Sequence, residues 1–127
     1  MLHASLDVFS EFLAAKRVVI LGDLNTSSRV KTQELTHPEF VAKAAALGLT
    51  SIYHHQTGEI HGQETLATYR HGGSTESAFH IDYCFLSHAL LGSASIRVVN
   101  RAEWKTRSDH FPIVVDVQEA KISDDAP

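Results

Sequence analysis

Three short polar motifs carry the side chains that could perform chemistry in this 127-residue chain. They are Gly22-Asp23-Leu24-Asn25, His80-Ile81-Asp82-Tyr83 and Ser108-Asp109-His110-Phe111-Pro112. A carboxylate such as Asp23 can activate water, an amide such as Asn25 can hold a phosphoryl oxygen, and an imidazole such as His110 can transfer a proton. The combination is typical of hydrolytic sites, although each motif alone also fits an ordinary polar turn.

Asp82 is the unusual residue of the second motif, because it interrupts an apolar run. A carboxylate is costly to bury unless something donates hydrogen bonds to it. It could accept the ring N–H of a catalytic histidine and so fix its tautomer. It could equally be a core carboxylate capped by backbone or by an arginine.

The elements that must position these motifs follow an α/β pattern. Apolar residues recur at helical spacing over residues 2–15, and a continuous apolar run at residues 18–21 predicts a buried strand that ends at Gly22. Residues 23–37 are predicted as loop. Pro38 and Glu39 favour the start of a second helix, with an apolar face from Phe40 to Leu47 and a stop at Gly48. Further strands are predicted near residues 50–54, 66–70, 79–86, 96–100 and 111–117.

The strand at residues 79–86 is apolar on both faces. Its alternation places Phe79, Ile81, Tyr83 and Phe85 on one face and His80, Asp82, Cys84 and Leu86 on the other. A strand of this kind is expected to lie between two packed layers.

Composition limits the class of protein. With 43% hydrophobic residues the chain can form one domain with a core, and its single cysteine, Cys84, is expected to be a buried thiol compatible with a reducing cytoplasm. A formal net charge of −4 argues against strong nucleic-acid binding by this chain alone. No signal peptide and no membrane-spanning stretch is predicted.

In order and spacing, the three motifs resemble the C-terminal half of the endonuclease/exonuclease/phosphatase family. The matching segments read VVILGDLN (residues 18–25), FHIDYCFLS (79–87) and SDHFPIVV (108–115), so the resemblance spans nearly the whole chain. The resemblance implies that residues 1–117 form the C-terminal half of such a domain and that residues 118–127 are a tail. The implied fold is α/β, half of a DNase I-like four-layered sandwich, with a mostly antiparallel or mixed sheet of about six strands and two helices on one face.

The resemblance also implies roles for individual residues. Asp23 would orient or deprotonate the attacking water, Asn25 would contact the phosphoryl group, and His110, held by Asp82, would stabilise or protonate it. Asp109 would lie at or near a divalent metal, with Mg²⁺ or Mn²⁺ favoured by hard oxygen ligands. Thr68, Tyr69 and Arg70 lie on a strand that often faces substrate in the family, and Arg70 is the predicted substrate contact with Asn25.

Part of the family's site has no counterpart in this sequence. Family members are about twice as long, and their first half contributes a glutamate that is the principal metal ligand. None of the glutamates here lies on a strand that matches it. A half alone would expose an apolar sheet face, so the chain is expected to form a homodimer through that face or to bind a chain that supplies the missing half.

Alternatives remain open. The chain could hydrolyse a nucleic acid, a sugar phosphate or a lipid phosphate with an incomplete site, or it could be an inactive remnant or binding module that keeps the fold. A zinc site is a third hypothesis, because five histidines cluster in the middle of the chain: His54, His55, His61, His71 and His80. Their spacing does not match a tetrahedral structural centre, and His54 and His55 would point to opposite faces of the strand predicted there.

Overall fold

The computed structural model of the protein describes residues 2–15, 17–29, 36–73 and 76–119. Their strands are β1 (Val19–Asp23), β2 (Leu49–Ser51), β3 (Tyr69–Arg70), β4 (Ala78–Phe79), β5 (Asp82–Ser87), β6 (Ala94–Val98) and β7 (Ile113–Val117). Their helices are α1 (Leu2–Val8), α2 (Ser10–Leu13), α3 (His37–Ala46), α4 (Ile52–Thr57) and α5 (His88–Leu91), with 3-10 turns at His71–Gly73 and Ala102–Thr106. None of the described helices is long and apolar enough to cross a membrane.

Strand β5 is central because it pairs with a strand on each side. It runs antiparallel to β1, with Val19 opposite Leu86 and Asp23 opposite Asp82, and it runs antiparallel to β2. Two antiparallel pairs, β3 with β4 and β6 with β7, complete the strands of the described residues. The end of β1 and the start of β5 therefore meet at one edge of the central sheet.

The two faces of β5 pack into separate hydrophobic clusters. Tyr83 and Phe85 project into a cluster covered by α1, α2 and α3, where the rings of Phe40 and Phe85 meet edge to face at 5.4 Å between centroids. Cys84 and Leu86 project into the opposite cluster, which α4, α5 and β6 cover. The alternation predicted for residues 83–86 is confirmed, because successive side chains of a strand point to opposite faces.

Cys84 behaves as the sequence predicts. It is a free, fully buried cysteine, and burial raises the pKa of its thiol to about 11. The thiolate is the reactive form of cysteine, so a thiol that stays protonated at neutral pH is inert. Cys84 is a packing residue of the core.

Helix α3 forms where the sequence predicts it. Thr36 is the N-cap, and its backbone N–H donates to Glu39 Oε2 at 2.6 Å, which satisfies one of the backbone donors near the helix start. Phe40 and Ala44 are fully buried one turn apart, and Gly48 follows the helix with a φ of 76°. The buried face of α3 anchors the first cluster against β5.

The predicted strand at residues 79–86 is interrupted in the structure. β4 ends at Phe79 and β5 begins at Asp82, and the backbone N–H groups of Ile81 and Asp82 both donate to the hydroxyl oxygen of Thr68, at 3.0 and 3.1 Å. These bonds satisfy the backbone where the chain leaves the β3–β4 pair for the central sheet. Thr68 itself is fully buried.

The strand predicted near residues 50–54 is wrong beyond Ser51, where α4 begins. Ile52 and Tyr53 are consecutive and both buried, which a helix packed beneath β5 and β6 allows. The helix ends at Gly58, whose φ of 72° is the left-handed conformation common at helix ends. His54 and His55 are therefore neighbours on a helix, with His54 half-buried and His55 exposed.

Other differences concern element bounds. The single helix predicted over residues 2–15 is two helices joined at Phe9, and the strand predicted at 66–70 is confined to Tyr69–Arg70. Residues 30–35 of the predicted loop and 120–127 of the predicted tail lie outside the described residues.

The predicted α/β class with mostly antiparallel strands is confirmed. The described strands divide into three hydrogen-bonded groups instead of one sheet of about six, and the interruption at residues 80–81 separates β4 from β5. Helices cover both faces of β5 instead of one. The strand predicted at residues 18–21 forms as β1, but the prediction that it is buried is wrong on one face: β1 is the outer strand of the central sheet, and its Val19 and Leu21 side chains are exposed.

Candidate active site

The first motif forms a tight turn at the end of β1. Gly22 has a φ of 148°, a conformation that glycine adopts without strain, and it is followed by Asp23 at the strand end. Asp23 Oδ1 accepts the backbone N–H of Asn25 at 2.8 Å, and Asn25 itself has a φ of 50°. Asparagine tolerates this left-handed conformation better than most residues, so the Asp-x-Asn spacing has a local structural cause. The turn presents Asp23 and Asn25 at the surface.

The second motif brings Asp82 beside Asp23. The two residues are direct partners across the antiparallel β1–β5 pair, although they are far apart in sequence. The backbone of Asp82 is fixed in place, because its N–H donates to the hydroxyl oxygen of Thr68. Its side chain is 14% exposed and Asp23 is 36% exposed, so Asp82 is the inner carboxylate of the pair.

The third motif reaches the same place by pairing with β3. Arg70 N–H donates to Asp109 O at 2.8 Å, Phe111 N–H donates to Thr68 O at 2.7 Å, and Tyr69 forms an antiparallel bridge with His110. The backbone N–H of His110 also donates to Ser108 Oγ at 3.0 Å. This short ladder carries His110 over the Asp23–Asp82 pair.

The imidazole of His110 lies between the two carboxylates. Its Nδ1 is 3.0 Å from Asp82 Oδ2 and 3.2 Å from Oδ1, whereas its Nε2 is 3.8 Å from Asp23 Oδ2. A carboxylate accepts hydrogen bonds, so Asp82 selects the tautomer with the proton on Nδ1. The 3.8 Å separation is too long for a hydrogen bond, so His110 Nε2 and Asp23 Oδ2 face each other without a direct bond.

These three residues also form a group that could hold a metal ion. One ligand atom each from Asp23, Asp82 and His110 lie within 4.8 Å of one another. Asp82 is engaged by His110, and Asp23 uses only Oδ1 in its turn with Asn25. Magnesium sites often use one or two carboxylates and complete their shell with water and substrate oxygens. The donor set fits a hard divalent cation that shares its shell with a substrate.

The other predicted site residues lie around this group. Asn25 is exposed beside Asp23, and Asp109 is exposed but outside the three-residue group. The side chain of Arg70 points inward: the residue is 8% exposed, and its guanidinium lies 5.3 Å from the centroid of the Phe111 ring. The roles of Asp109 as a metal ligand and Arg70 as a substrate contact stay predictions.

Two residues support the site in ways that the motifs do not reveal. The ring of Tyr69 packs against His110 with centroids 4.7 Å apart, and its hydroxyl is 2.9 Å from His71 Nδ1. Thr68 connects the backbone at Asp82 to the backbone at Phe111. Both lie on or next to β3, the strand predicted to face substrate, but their supporting roles follow only from the contacts seen in the structure.

Replacement of Thr68 with valine is expected to destabilise the protein by roughly 2 kcal/mol or more. The change keeps the side-chain shape but leaves one buried and one partly buried backbone N–H donor without an acceptor, and a buried donor without a partner costs about 1–3 kcal/mol. Urea unfolding of Thr68→Val beside the exposed Thr106→Val would measure the effect. Equal stability of the two variants would contradict the assigned role.

Comparison with known proteins gives a structural likeness. No family model matches the sequence, and no curated protein matches it. The chain is similar to the solved structure of the 3'-5' exonuclease NExo from Neisseria meningitidis, with a TM-score of 0.66 and 17% identity over 93% of this chain and 52% of that chain. It is also similar to the 3' phosphatase NExo from Neisseria bound to product DNA hairpin, with the same TM-score and coverage and 18% identity.

At this level of identity the likeness shows the fold alone. The chain has a DNase I-like α/β fold and spans about half the length of the structures that it matches.

Proposed function

We propose that this chain carries the half-site of a metal-dependent phosphoester hydrolase of the endonuclease/exonuclease/phosphatase type. The observation that carries the proposal is the placement of His110 between Asp82 and Asp23, with Asp82 on Nδ1 and Asp23 opposite Nε2. The structural likeness to a nuclease and phosphatase supports the reaction class.

Each side chain has a role that its position supports. Asp82 holds the His110 ring and stabilises positive charge on it when Nε2 takes up a proton. His110 Nε2 then donates to a phosphoryl oxygen, and Asp23 Oδ2 orients the attacking water or accepts its proton. Asn25, which is exposed beside Asp23, supplies an amide to the phosphoryl group.

Mg²⁺ or Mn²⁺ is the proposed cofactor. Asp109 is the predicted ligand, and Asp23, whose Oδ2 is not used in the turn with Asn25, would be a second one; the bound ion would supply positive charge to the phosphoryl oxygens. A site of this kind needs that charge because the chain carries a net charge of −4. The substrate is a phosphoester, and the choice between a nucleic acid 3' end and a small sugar or lipid phosphate depends on loops and on residues beyond this half-site.

A second polypeptide surface is proposed to complete the site. The outer strand β1 exposes Val19 and Leu21, which are 48% and 56% exposed, and it ends at Asp23. Exposed apolar edge strands are natural pairing surfaces. A partner that covers β1, either a second copy or a chain supplying the missing half, would reach the site and could add the glutamate that the half-site lacks.

Replacement of Leu21 with lysine is expected to abolish self-association, because the charge cannot be buried across the β1 face. Sedimentation velocity at micromolar concentrations should show a dimer for the wild type and a monomer for Leu21→Lys. Ile60→Lys is the matched control, since Ile60 is 64% exposed in a loop. A wild type that is strictly monomeric would contradict the homodimer proposal and leave the supplied-half alternative.

The function is tested by hydrolysis of bis-p-nitrophenyl phosphate with Mg²⁺ or Mn²⁺, by the wild-type chain and after chelation. Turnover that depends on the metal supports the proposal. Absence of turnover by folded protein that also self-associates overturns it, because a site completed by a second copy would then be present. That result would favour an inactive binding module, for which the specific observation is that the group around His110 contains two aspartates and no glutamate among the described residues.

A further inference from the structure

A second cluster of metal-ligating side chains lies between α4 and the chain that follows it. His54 is on α4, and His61 and Glu64 come after the helix ends at Gly58. The three residues lie within an 11-residue segment of the sequence, so bringing them together closes only a short loop. None of them belongs to the group around His110.

The geometry of this cluster is compact and buried. One ligand atom each from His54, His61 and Glu64 lie within 4.8 Å of one another. His54 Nε2 is 2.9 Å from Glu64 Oε1, and the His54 and His61 rings stack with centroids 3.5 Å apart. The side chains of His54 and Glu64 are only 8% and 3% exposed, so the cluster is not a chance meeting of surface charges.

Each imidazole is held by its other ring nitrogen. His54 Nδ1 is 2.7 Å from Ser51 Oγ, and His61 Nδ1 is 2.9 Å from His37 Nε2. Metal-bound histidines in proteins are oriented in this way, by a hydrogen bond on the nitrogen that does not bind the metal. With Nδ1 held in both rings, Nε2 is the nitrogen left for a metal; in His54 it contacts Glu64 Oε1, and a bound ion would take the place of that hydrogen bond.

The carboxylate is also fixed in place. The backbone N–H of Gly62 donates to Glu64 Oε1 at 2.9 Å. Gly62 has a φ of 92°, and a Cβ on it would lie 2.9 Å from the Cβ of Ser28, so glycine is required at this point of the loop. The loop is therefore shaped to hold Glu64 against the two histidines.

Two further imidazoles next to the cluster have a buried nitrogen without a hydrogen-bond partner among the described residues, namely His80 Nε2 and His37 Nδ1. His80 Nδ1 lies 2.9 Å from the carbonyl oxygen of Leu66, which only accepts, so Nδ1 carries the proton and Nε2 is a bare lone pair. The His80 ring lies 5.7 Å from the His54 ring, centroid to centroid. A buried lone pair without a donor is costly, and a nearby cation would offset that cost.

We propose that His54, His61 and Glu64 form a second metal site, which takes a divalent transition-metal ion of the zinc class. Two imidazoles and one carboxylate are a common ligand set for Zn²⁺, whereas Mg²⁺ and Ca²⁺ prefer oxygen ligands. A water molecule or the His80 side chain would supply the fourth ligand of the ion. Because the site is buried, the ion stabilises the segment between α4 and β3 that delivers Thr68 to the active-site backbone.

The test uses the full chain with His110→Ala, which removes the imidazole from the other candidate metal group. After chelator treatment, isothermal titration should show one Zn²⁺ bound per chain. Adding His61→Ala or the isosteric Glu64→Gln should weaken that binding by at least roughly 100-fold, more than loss of a residue that only orients a ligand would cause. His55→Ala, an exposed neighbour on α4, is the matched control and should bind as before.

Two readouts keep the test independent of folding. Zn²⁺ should raise the melting temperature of the His110→Ala chain but not of the Glu64→Gln chain, because an ion that binds only the folded state stabilises it. Co²⁺ should give visible ligand-field bands that Glu64→Gln and His61→Ala change. Failure of folded His110→Ala protein to bind Zn²⁺ at micromolar concentration, or binding that neither ligand variant alters, overturns the proposal. Both results are independent of phosphoester hydrolysis.

Discussion

Replacement of His110 with alanine is expected to lower kcat for phosphodiester hydrolysis by about 10²–10⁴-fold, the range for loss of a positioned general acid or base. The ring is the only group that spans the described site from Asp82 to Asp23, so alanine removes the proton donor and leaves Asp82 without its partner. Steady-state kinetics with bis-p-nitrophenyl phosphate at saturating metal would measure the loss. His88→Ala, an exposed histidine on α5, is the control.

The Asp82→Asn variant tests whether Asp82 positions His110 without contributing to substrate binding. The amide keeps the shape but offers His110 Nδ1 either a donor or a neutral acceptor, so the ring loses its fixed tautomer and its compensating charge. We expect kcat to fall with little change in KM, because Asp82 contacts His110 and would act on the substrate through that ring. A rise in KM alone, or wild-type kcat in His110→Ala, would place the chemistry elsewhere.

Replacement of Phe40 with alanine is expected to destabilise the protein by about 3–5 kcal/mol, the range for phenylalanine truncation in a core. Phe40 is fully buried, belongs to the cluster beneath α3 and meets Phe85 edge to face. For a domain of this size the loss corresponds to a melting temperature lower by roughly 10 °C or more. Chemical denaturation and calorimetry would both detect it.

Phe12→Ala is the matched control for this experiment. Phe12 is also a helical phenylalanine on the same side of the sheet, but it is 70% exposed, so its truncation should change the unfolding free energy by no more than about 0.5 kcal/mol. A similar loss in both variants would mean that α2 is covered in solution. That outcome would move the association surface from β1 to the α1–α2 side.

Most of the fold's centre could be predicted from sequence. The two-faced apolar pattern of residues 83–86 describes a strand buried on both sides, and β5 has that position. Thr36, Pro38 and Glu39 mark the start of α3 by local chemistry alone. These predictions succeed because periodicity and helix-start signals act within a few residues.

The breaks in the strands could not be predicted in the same way. The interruption before Asp82 depends on the hydroxyl of Thr68, which is 14 residues away. The change from strand to helix at Ile52 depends on burial of consecutive apolar residues against β5 and β6. A short apolar run fits a strand or a helix equally, and tertiary packing decides between them.

The histidines show the same limit. Spacing alone argues against a zinc site, because the sequence has no Cys or His-x-x-x-His ligand spacing and His54 and His55 would point to opposite faces of the strand predicted there. In the structure, α4 and the turn at Gly62 bring His54, His61 and Glu64 together, while His55 and His71 are exposed. Ligand geometry depends on where the loop folds back, which the sequence pattern does not encode.

The residue types at the ends of β1, β5 and the last loop can be read locally, because the Asp-x-Asn turn and the strand periodicity are local properties. The meeting of Asp23, Asp82 and His110 at these distances depends instead on the antiparallel register between β1 and β5 and on pairing of the His110 segment with β3. Register and non-local pairing are set by packing of the whole domain. The side chains that could perform the chemistry can therefore be identified from local sequence, whereas their arrangement depends on contacts between distant parts of the chain.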